Sequence, residues 1–324
     1  MDQTIIKKWT EATLADKGYK GISDFVVVRD MPWSCVYSII TDQGKLYIKW
    51  MADAFLIEPK ILAFLRDKNI AQNVIDIISI KEDGLVFIMK DRGSPLRDQL
   101  KKAYDIALPQ QALKDYAAIQ VKASDYVDDL INAGVNDWRL MRVPQLFKEF
   151  MADEKFLITR GLKKSDIERL NGLFEAVQSL CDALSKYKIP QTLEHGDFQD
   201  NNVLIDIDHS LTINDWGDTS ISHPFISCAG FLTSACHSHN FDKDSERFKA
   251  LRDTYLKCWA AFETEENLLK IFELASILRD FTFSMNFKKI FSCPEIAKLT
   301  KYDDYIKNDL LAFADKLEKI KTHL

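Results

Sequence analysis

Residues 194–202 read EHGDFQDNN, and residues 213–218 read INDWGD. Two short apolar runs, VLI and LTI, lie between the two motifs and are joined by polar turn residues. Such a pattern predicts a tight hairpin, which returns the chain to its starting point. The side chains of Asp197, Asn202 and Asp215 are therefore expected to converge.

Two carboxylates and a carboxamide oxygen at one point suit a hard divalent cation, because Mg²⁺ prefers oxygen ligands. One carboxylate remains free to orient a hydroxyl group. The three converging side chains therefore indicate phosphoryl transfer.

These residues resemble the kinase-like phosphotransferases, and within them the aminoglycoside phosphotransferase and choline kinase group. HGD at 195–197 stands where protein kinases carry HRD, and NDWGD at 214–218 is similar to the small-molecule kinases' version of DFG. The plain alternative is that the first motif forms a turn and the second ends a strand. The order, the spacing and the intervening hairpin together favour the resemblance.

The resemblance implies an α+β, bilobal, protein-kinase-like fold. Residues 1–89 would form a small antiparallel β N-lobe with one main helix, which binds the nucleotide. Residues 90–93 would form the hinge. Residues 94–324 would form a larger, mostly helical C-lobe with the catalytic loop, the metal site and a helical acceptor-binding region.

Roles for the central residues follow from the resemblance. Asp197 would align the acceptor hydroxyl and take its proton, while Asn202 and Asp215 would hold Mg²⁺. His195 would anchor the catalytic loop and not carry a proton. Protein kinase activity is disfavoured, because no arginine precedes Asp197 and the segment from Asp215 to Pro224 leaves little room for an activation loop.

The N-terminal region predicts a leading helix over 4–16 and then strands over 25–28, 35–40 and 45–50, with a loop at 29–34. Lys49 is either a solvent-facing strand residue or, by resemblance, the lysine that holds the α/β-phosphates. Glu58 is its expected partner, although a carboxylate at a helix start also suits the helix dipole. Ser34, in a loop without glycine, is either a phosphate contact or part of a plain turn.

A second hairpin is predicted from strands at 74–80 and 85–89. The resemblance places the hinge just after it, so the main chain of Met89, Lys90 and Asp91 is expected to meet the adenine. Apolar periodicity predicts helices over 96–103, 110–133, 144–160 and 165–187, and after Pro224 over 225–237, 244–262, 266–291 and 294–320.

Candidates for binding the acceptor come from two kinds of residue. Antibiotic kinases use acidic residues of late helices for ammonium groups, whereas choline kinases use aromatic ones. The candidates are Asp137, Trp138, Trp259, Glu263 and Asp280, with Phe283 as a further aromatic. Asp137, Trp138 and Arg139 are also explained by an ion-paired loop. The sequence does not choose among them.

The composition is that of an ordinary globular protein, with 324 residues, 47% hydrophobic and 28% charged. A net charge of −6 argues against a nucleic-acid-binding surface. Six cysteines without paired spacing indicate reduced thiols, and neither a signal peptide nor a membrane-spanning run is visible, so we expect a cytoplasmic protein without a membrane partner. The sequence carries no indication of oligomeric state.

The function expected from these features is transfer of the γ-phosphoryl group of ATP or GTP to a hydroxyl of a small molecule, with Mg²⁺ as cofactor. An aminoglycoside-like antibiotic is the favoured acceptor, and choline-like amino alcohols and sugars are the alternatives. A nucleotide-binding module without turnover is the alternative of another class, because the first hairpin lacks a glycine-rich loop.

Overall fold

The computed structural model of the chain describes residues 3–291, 296 and 303–322. Five strands in its N-terminal part form an antiparallel sheet in the order β1-β2-β3-β5-β4. They are β1 (Val26–Met31), β2 (Ser34–Thr41), β3 (Gly44–Met51), β4 (Ile77–Ile80) and β5 (Val86–Lys90). The helices α1 (Gln3–Asp16) and α2 (Ile57–Asp67) accompany the sheet.

The two faces of this sheet have different neighbours. On one face, Leu46 and Ile48 of β3 pack with Ile6 and Leu14 of α1 in a small core. Because successive strand side chains alternate between faces, Lys49 points to the opposite face, toward α2 and the remainder of the chain. Alternation along β3 therefore decides that this lysine faces inward.

The chain leaves the sheet through residues 90–93 and enters β6 (Ser94–Pro95). Gly93 has φ +91°, and a Cβ there would lie 2.0 Å from the carbonyl oxygen of Ile205. The backbone of this connection thus lies directly against the strand at 203–205. The hinge role of residues 90–93 stays a prediction.

The C-terminal part combines helices with two small three-stranded sheets. The remaining strands are β7 (Asn136–Asp137), β8 (Thr192–Glu194), β9 (Val203–Ile205), β10 (Leu211–Ile213) and β11 (Ser220–Ser222), in sheets ordered β10-β9-β6 and β7-β11-β8. The helices are α3 (Leu96–Lys102), α4 (Ala107–Ala123), α5 (Val127–Asn132), α6 (Val143–Met151), α7 (Glu154–Thr159), α8 (Lys164–Asn171), α9 (Phe174–Ser185), α10 (Phe225–His239), α11 (Glu246–Lys257), α12 (Glu265–Phe291) and α13 (Asp303–Ile320). The long helix α12 packs against α10 and α13.

Four local predictions were wrong. The predicted loop at 29–34 is a two-residue turn, because Met31 pairs with Ser34 and both belong to strands. The helices predicted over 110–133, 144–160 and 165–187 are each interrupted. Apolar periodicity continues across these breaks because the segments on both sides bury residues in the same core. The start of the helix predicted from 294 lies outside the described residues.

The cysteines of the described chain are free thiols. Cys35, Cys181 and Cys228 are buried, whereas Cys236 and Cys258 are partly exposed. Cys293 lies outside the described residues. In the part of the chain that the structure describes, no helix has both the length and the apolar character needed to cross a membrane.

Candidate active site

The hairpin of β9 and β10 brings the two sequence motifs together. The main-chain N–H of Asn214 donates to the carbonyl of Asn202 over 2.8 Å. The amide of Asn202 in turn donates to the Asp197 carboxylate and to the Asp197 carbonyl, each over 2.8 Å. Asp215 follows β10 directly and lines one cavity with Asn202 and another with Asp197. The predicted convergence of these three side chains is therefore present.

The His195 ring contacts the main chain of both motifs. The ring is fully buried, its Nε2 lies 2.9 Å from the carbonyl oxygen of Asn214, and its Nδ1 lies 3.3 Å from the main-chain N of Asp197. Burial lowers the pKa of His195 to about 4, so the ring is neutral. A neutral ring that donates from Nε2 and accepts at Nδ1 satisfies both contacts. The geometry thus suits a positioning role.

Tyr116 of α4 also holds the loop that contains Asp197, which the sequence did not reveal. Its ring stacks on Phe198 with centroids 4.1 Å apart. Its hydroxyl accepts from the main-chain N–H of His195 and donates to Ser227, each over 2.9 Å. In sequence it is one apolar position of a helical stripe, which gives no signal of contact with a loop distant along the chain.

Gly196 lies in close contact with Asp218 and with Asn286 of α12. Its φ is +81°, and a Cβ would lie 2.4 Å from the carbonyl oxygen of Asp218 and 2.8 Å from the amide nitrogen of Asn286. Both the left-handed backbone and the close approach require glycine.

We expect Gly196→Ala to lower the free energy of unfolding by about 2–5 kcal/mol. The left-handed backbone contributes about 1–2 kcal/mol and the steric overlap about 1–3 kcal/mol. Gly18→Ala is the matched control, because Gly18 has φ +82° and open space around its Cβ position. Urea unfolding of both variants measures the difference, and equal losses would contradict the close approach.

Lys49 lies between two carboxylates in the inward face of the sheet. Its Nζ lies 2.6 Å from Glu58 and 2.7 Å from Asp215. Burial alone would lower the pKa of Lys49, but these two carboxylates raise it above its ordinary value. The structure thus brings Lys49 and Glu58 together as the sequence suggested, while phosphate binding stays a prediction.

The carboxylates of the site differ in pKa: burial would raise the pKa of Asp215, but Lys49 holds it below its ordinary value. Burial raises the pKa of Asp197 to about 6, with help from Asp215 and against the hydrogen bonds from Gln199 and Asn202. Burial also raises the pKa of Asp218 to about 7, against the attraction of Lys289. Because like charges repel here, a bound cation would stabilise the ionised site.

The residues present fit Mg²⁺. One carboxylate oxygen of Asp218, 3.9 Å from Lys289 Nζ, is buried without a hydrogen-bond partner among the described residues. Asp218 lines one cavity with Asp215, and Asp215 lines the adjoining cavity with Asn202. The described chain contains no cluster of three His, Cys, Asp or Glu residues suited to a metal. A carboxylate and an amide leave the other coordination positions to phosphate and water, as is usual for Mg²⁺.

Two cavities adjoin Lys49 and Asp215. The first, of about 400 Å³, lies under the sheet and is lined by Ser34, Met89, Lys90, Asn202 and Asp215 among others. Asp91 does not line this cavity, and its carboxylate accepts from the Gly93 N–H over 2.9 Å. Contact of the main chain at 89–91 with a base stays a prediction.

The second cavity, of about 320 Å³, lies under the β1-β2 hairpin and also contains Asp197 and Asp218. Arg29 lines both cavities. The sequence missed it, because an arginine on an exposed strand is ordinary.

The candidate acceptor residues separate into two groups. Trp138 lines a third cavity, of about 480 Å³, which also contains Asp197. Phe283 lines this cavity too. The carboxylate of Asp137 instead pairs with Arg139 over 2.8 Å, as the ion-paired loop reading proposed.

Trp259, Glu263 and Asp280 do not line this cavity. Trp259 is fully buried against other core aromatics, and Glu263 accepts from the main-chain N–H of Lys188 over 2.8 Å. Asp280 is buried beside Arg279 and Lys316. The sequence did not reveal this placement, because helical periodicity does not give the direction in which each helix faces. Contact with an acceptor stays a prediction for all the candidates.

No protein-family model and no curated protein sequence matches the chain. Solved structures do match over nearly its full length. The GDP complex of wild-type aminoglycoside 2'-phosphotransferase-IIIa has a TM-score of 0.60 at 16% identity, covering 97% of this chain and 99% of that one.

Two further matches have different named activities. The ethanolamine kinase of Plasmodium vivax has a TM-score of 0.65 at 13% identity, covering 96% of this chain and 89% of that one. The choline kinase LicA of Streptococcus pneumoniae has a TM-score of 0.63 at 11% identity, covering 97% and 99%. These likenesses confirm the predicted bilobal, kinase-like fold.

Proposed function

We propose that this chain is a small-molecule kinase that transfers the γ-phosphoryl group of ATP or GTP to a hydroxyl group. The observation that carries the proposal is the convergence of Asp197, Asn202, Asp215 and the Lys49–Glu58 pair between adjoining cavities. A kinase needs these parts together, because phosphoryl transfer depends chiefly on positioning and on neutralising charge.

Each residue has a defined task in this proposal. Asp197 orients the acceptor hydroxyl and receives its proton, and Asn202 and Gln199 fix both carboxylate oxygens over 2.8 Å. Asn202 and Asp215 would hold Mg²⁺, which when bound neutralises charge on the phosphates. Lys49, oriented by Glu58, contacts the phosphates.

The arrangement of the cavities indicates where the nucleotide and the acceptor would bind. The cavity under the sheet contains Met89 and Lys90, so we place the base there, against the main chain that leads into residues 90–93. The cavity with Trp138 and Phe283 also contains Asp197, and it shares no described lining residue with the cavity under the sheet. We therefore assign residues 1–89 to the nucleotide and the helical part from 94 onward to the acceptor.

The decisive test is nucleotide turnover by purified protein with Mg²⁺ and a panel of aminoglycosides, macrolides, amino alcohols and sugars. Turnover stimulated by an acceptor supports the kinase. Mg·nucleotide binding without turnover of any acceptor would favour the binding module, and absence of nucleotide binding would exclude both.

We expect kcat/KM for the nucleotide to rise with pH and to reach half its maximum near pH 6. The pKa of Asp197 is raised to about 6, and only its carboxylate form accepts a proton, so activity is lost as pH falls through this value. Initial rates between pH 5 and 8 measure the profile. A rate independent of pH in this range would contradict the role of Asp197 as base.

A further inference from the structure

The cavity that contains Trp138 and Phe283, here called the acceptor cavity, has a polar floor. Glu194 of β8 and Ser220 of β11 are paired across the sheet, and Asn286 of α12 lies beside Gly196. All three side chains line the cavity together with Asp197, and all are at least nine-tenths buried. A polar floor of this kind marks the cavity as a candidate site for a polar molecule.

Each of the three floor residues has an unused polar atom. The Oε2 of Glu194, the Oγ of Ser220 and the Oδ1 of Asn286 have no hydrogen-bond partner among the described residues. A buried polar atom without a partner costs about 1–3 kcal/mol, so such atoms in a cavity indicate a ligand that completes them. A hydroxyl group both donates and accepts, and therefore suits all three.

The side wall of the acceptor cavity carries a guanidinium group. Arg279 contributes a guanidinium whose Nη1 contacts Asp280 over 3.0 Å, while its Nε and Nη2 have no partner among the described residues. Asp280 is itself shared with Lys316 over 2.5 Å, and Asp309 lies 3.8 Å from the same Nη1, so two carboxylates outside the cavity lining hold one edge of the guanidinium and leave its other N–H groups to a ligand. Arg97 also lines the cavity, but its guanidinium already donates hydrogen bonds to Asp200, Gln199 and Ser234.

Carboxylates are scarce in the same place. Among the described residues that line the acceptor cavity, Asp197 and Glu194 are the acidic ones, and Glu194 is buried and hydrogen-bonded to Ser227. Burial raises the pKa of Glu194 to about 8, which leaves it mostly uncharged at neutral pH. A polycationic aminoglycoside would find few negative charges here.

We propose that the phosphoryl acceptor is a hydroxylated small molecule with an anionic group, a carboxylate or a phosphate, which pairs with Arg279 while its hydroxyls contact Glu194, Ser220 and Asn286. This inference rests on the proposed kinase function and narrows its acceptor. A planar guanidinium suits either anion, because it offers paired N–H donors in a fixed geometry.

The first experiment compares acceptors that share a carbon skeleton and differ in charge. Nucleotide turnover is measured with a neutral sugar alcohol, the matching sugar acid, the sugar phosphate and the amino sugar, beside an aminoglycoside. We expect kcat/KM to be at least tenfold higher for the acid or the phosphate than for the amino sugar, and comparing these two identifies the anion. Preference for the amino sugar or the aminoglycoside would overturn the inference and leave the kinase function intact.

Arg279→Gln tests the anion contact. We expect it to raise KM at least tenfold for the anionic acceptor and to change KM for the neutral sugar alcohol little. Arg252→Gln is the matched control, because Arg252 also pairs with the next residue, Asp253, and has a similar exposed fraction, 21% against 22% for Arg279. Equal effects of Arg279→Gln on both acceptors would contradict the anion contact.

Ser220→Ala tests the polar floor apart from folding. The variant removes a hydroxyl without a partner, so the free energy of unfolding should stay unchanged or rise. We expect KM for the acceptor to rise several-fold all the same. An unchanged KM would show that the acceptor does not reach the floor.

If no acceptor is turned over, calorimetry measures whether the protein binds the anionic molecules and Mg·ADP. Binding that Arg279→Gln abolishes would support the site. Normal Mg·ADP binding with neither turnover nor binding of any anionic molecule would overturn this inference alone, whereas absence of Mg·ADP binding would overturn the proposed function with it.

Discussion

Asp197→Asn is expected to lower kcat by about 10²–10⁴-fold, the range found when a positioned general base is removed. The substitution keeps the shape of the side chain but removes the oxygen that accepts from Gln199. The amide of Asn202 can still donate to the remaining side-chain oxygen and to the main-chain carbonyl of residue 197, so the loop should keep its position. Because Lys49, Asn202 and Asp215 are untouched, Mg·nucleotide should bind with nearly unchanged Kd.

The measurement combines acceptor-stimulated turnover with calorimetric binding of Mg·ADP. Asp208→Asn is the control, because Asp208 lies exposed in the turn between β9 and β10 and lines none of the cavities described above. Near-normal turnover by Asp197→Asn would show that another group activates the hydroxyl. It would also remove the main argument for the proposed mechanism.

Asp215→Asn is expected to weaken both binding and chemistry. Removing even a residue that only orients a metal ligand costs about 10–100-fold in metal affinity, and loss of a direct ligand should cost at least as much. Losing several kcal/mol of charge stabilisation in the transition state would also lower kcat/KM by about 10³-fold. Lys49 would keep Glu58 as its partner.

Asparagine is the informative substitution at this position. Asp215 has φ +66°, and asparagine adopts the left-handed conformation nearly as well as aspartate, whereas alanine would add about 1–2 kcal/mol of backbone strain. Calorimetric titration of Mg²⁺ and nucleotide, with thermal unfolding as a check on folding, separates the two effects. Unchanged Mg·nucleotide affinity in a folded Asp215→Asn protein would place the metal elsewhere.

The two variants together distinguish the competing classes. Loss of turnover with intact binding in Asp197→Asn, and loss of both in Asp215→Asn, is the pattern of an enzyme in which one carboxylate handles the acceptor and the other the metal. A nucleotide-binding module would show sensitivity only at Asp215, because nothing in it would depend on activation of a hydroxyl.

The sequence predicted the fold through a family resemblance that short motifs carry. The motifs at 194–202 and 213–218 are joined by a tight hairpin, and local turn chemistry alone brings Asp197, Asn202 and Asp215 together. Alternation along β3 likewise places Lys49 on one face of its sheet, and the connection from β3 to α2 is short enough to bring Glu58, at the start of α2, near it. These relations depend on spacing along the chain, which the sequence contains in full.

The direction that each late helix faces was decided by tertiary structure. Apolar periodicity identified α12 as a helix but did not show that Asp280 lies buried against Arg279 while Arg279 faces the acceptor cavity.

The sequence by itself determined a kinase-like fold and the residues that would handle phosphate and metal, because these are grouped in local motifs. Only the tertiary structure decided the charge of the acceptor cavity. Its lining residues, such as Arg97, Ser220 and Arg279, come from distant segments, and their burial and pairing exist only once α10, α12 and the β7-β11-β8 sheet have packed together.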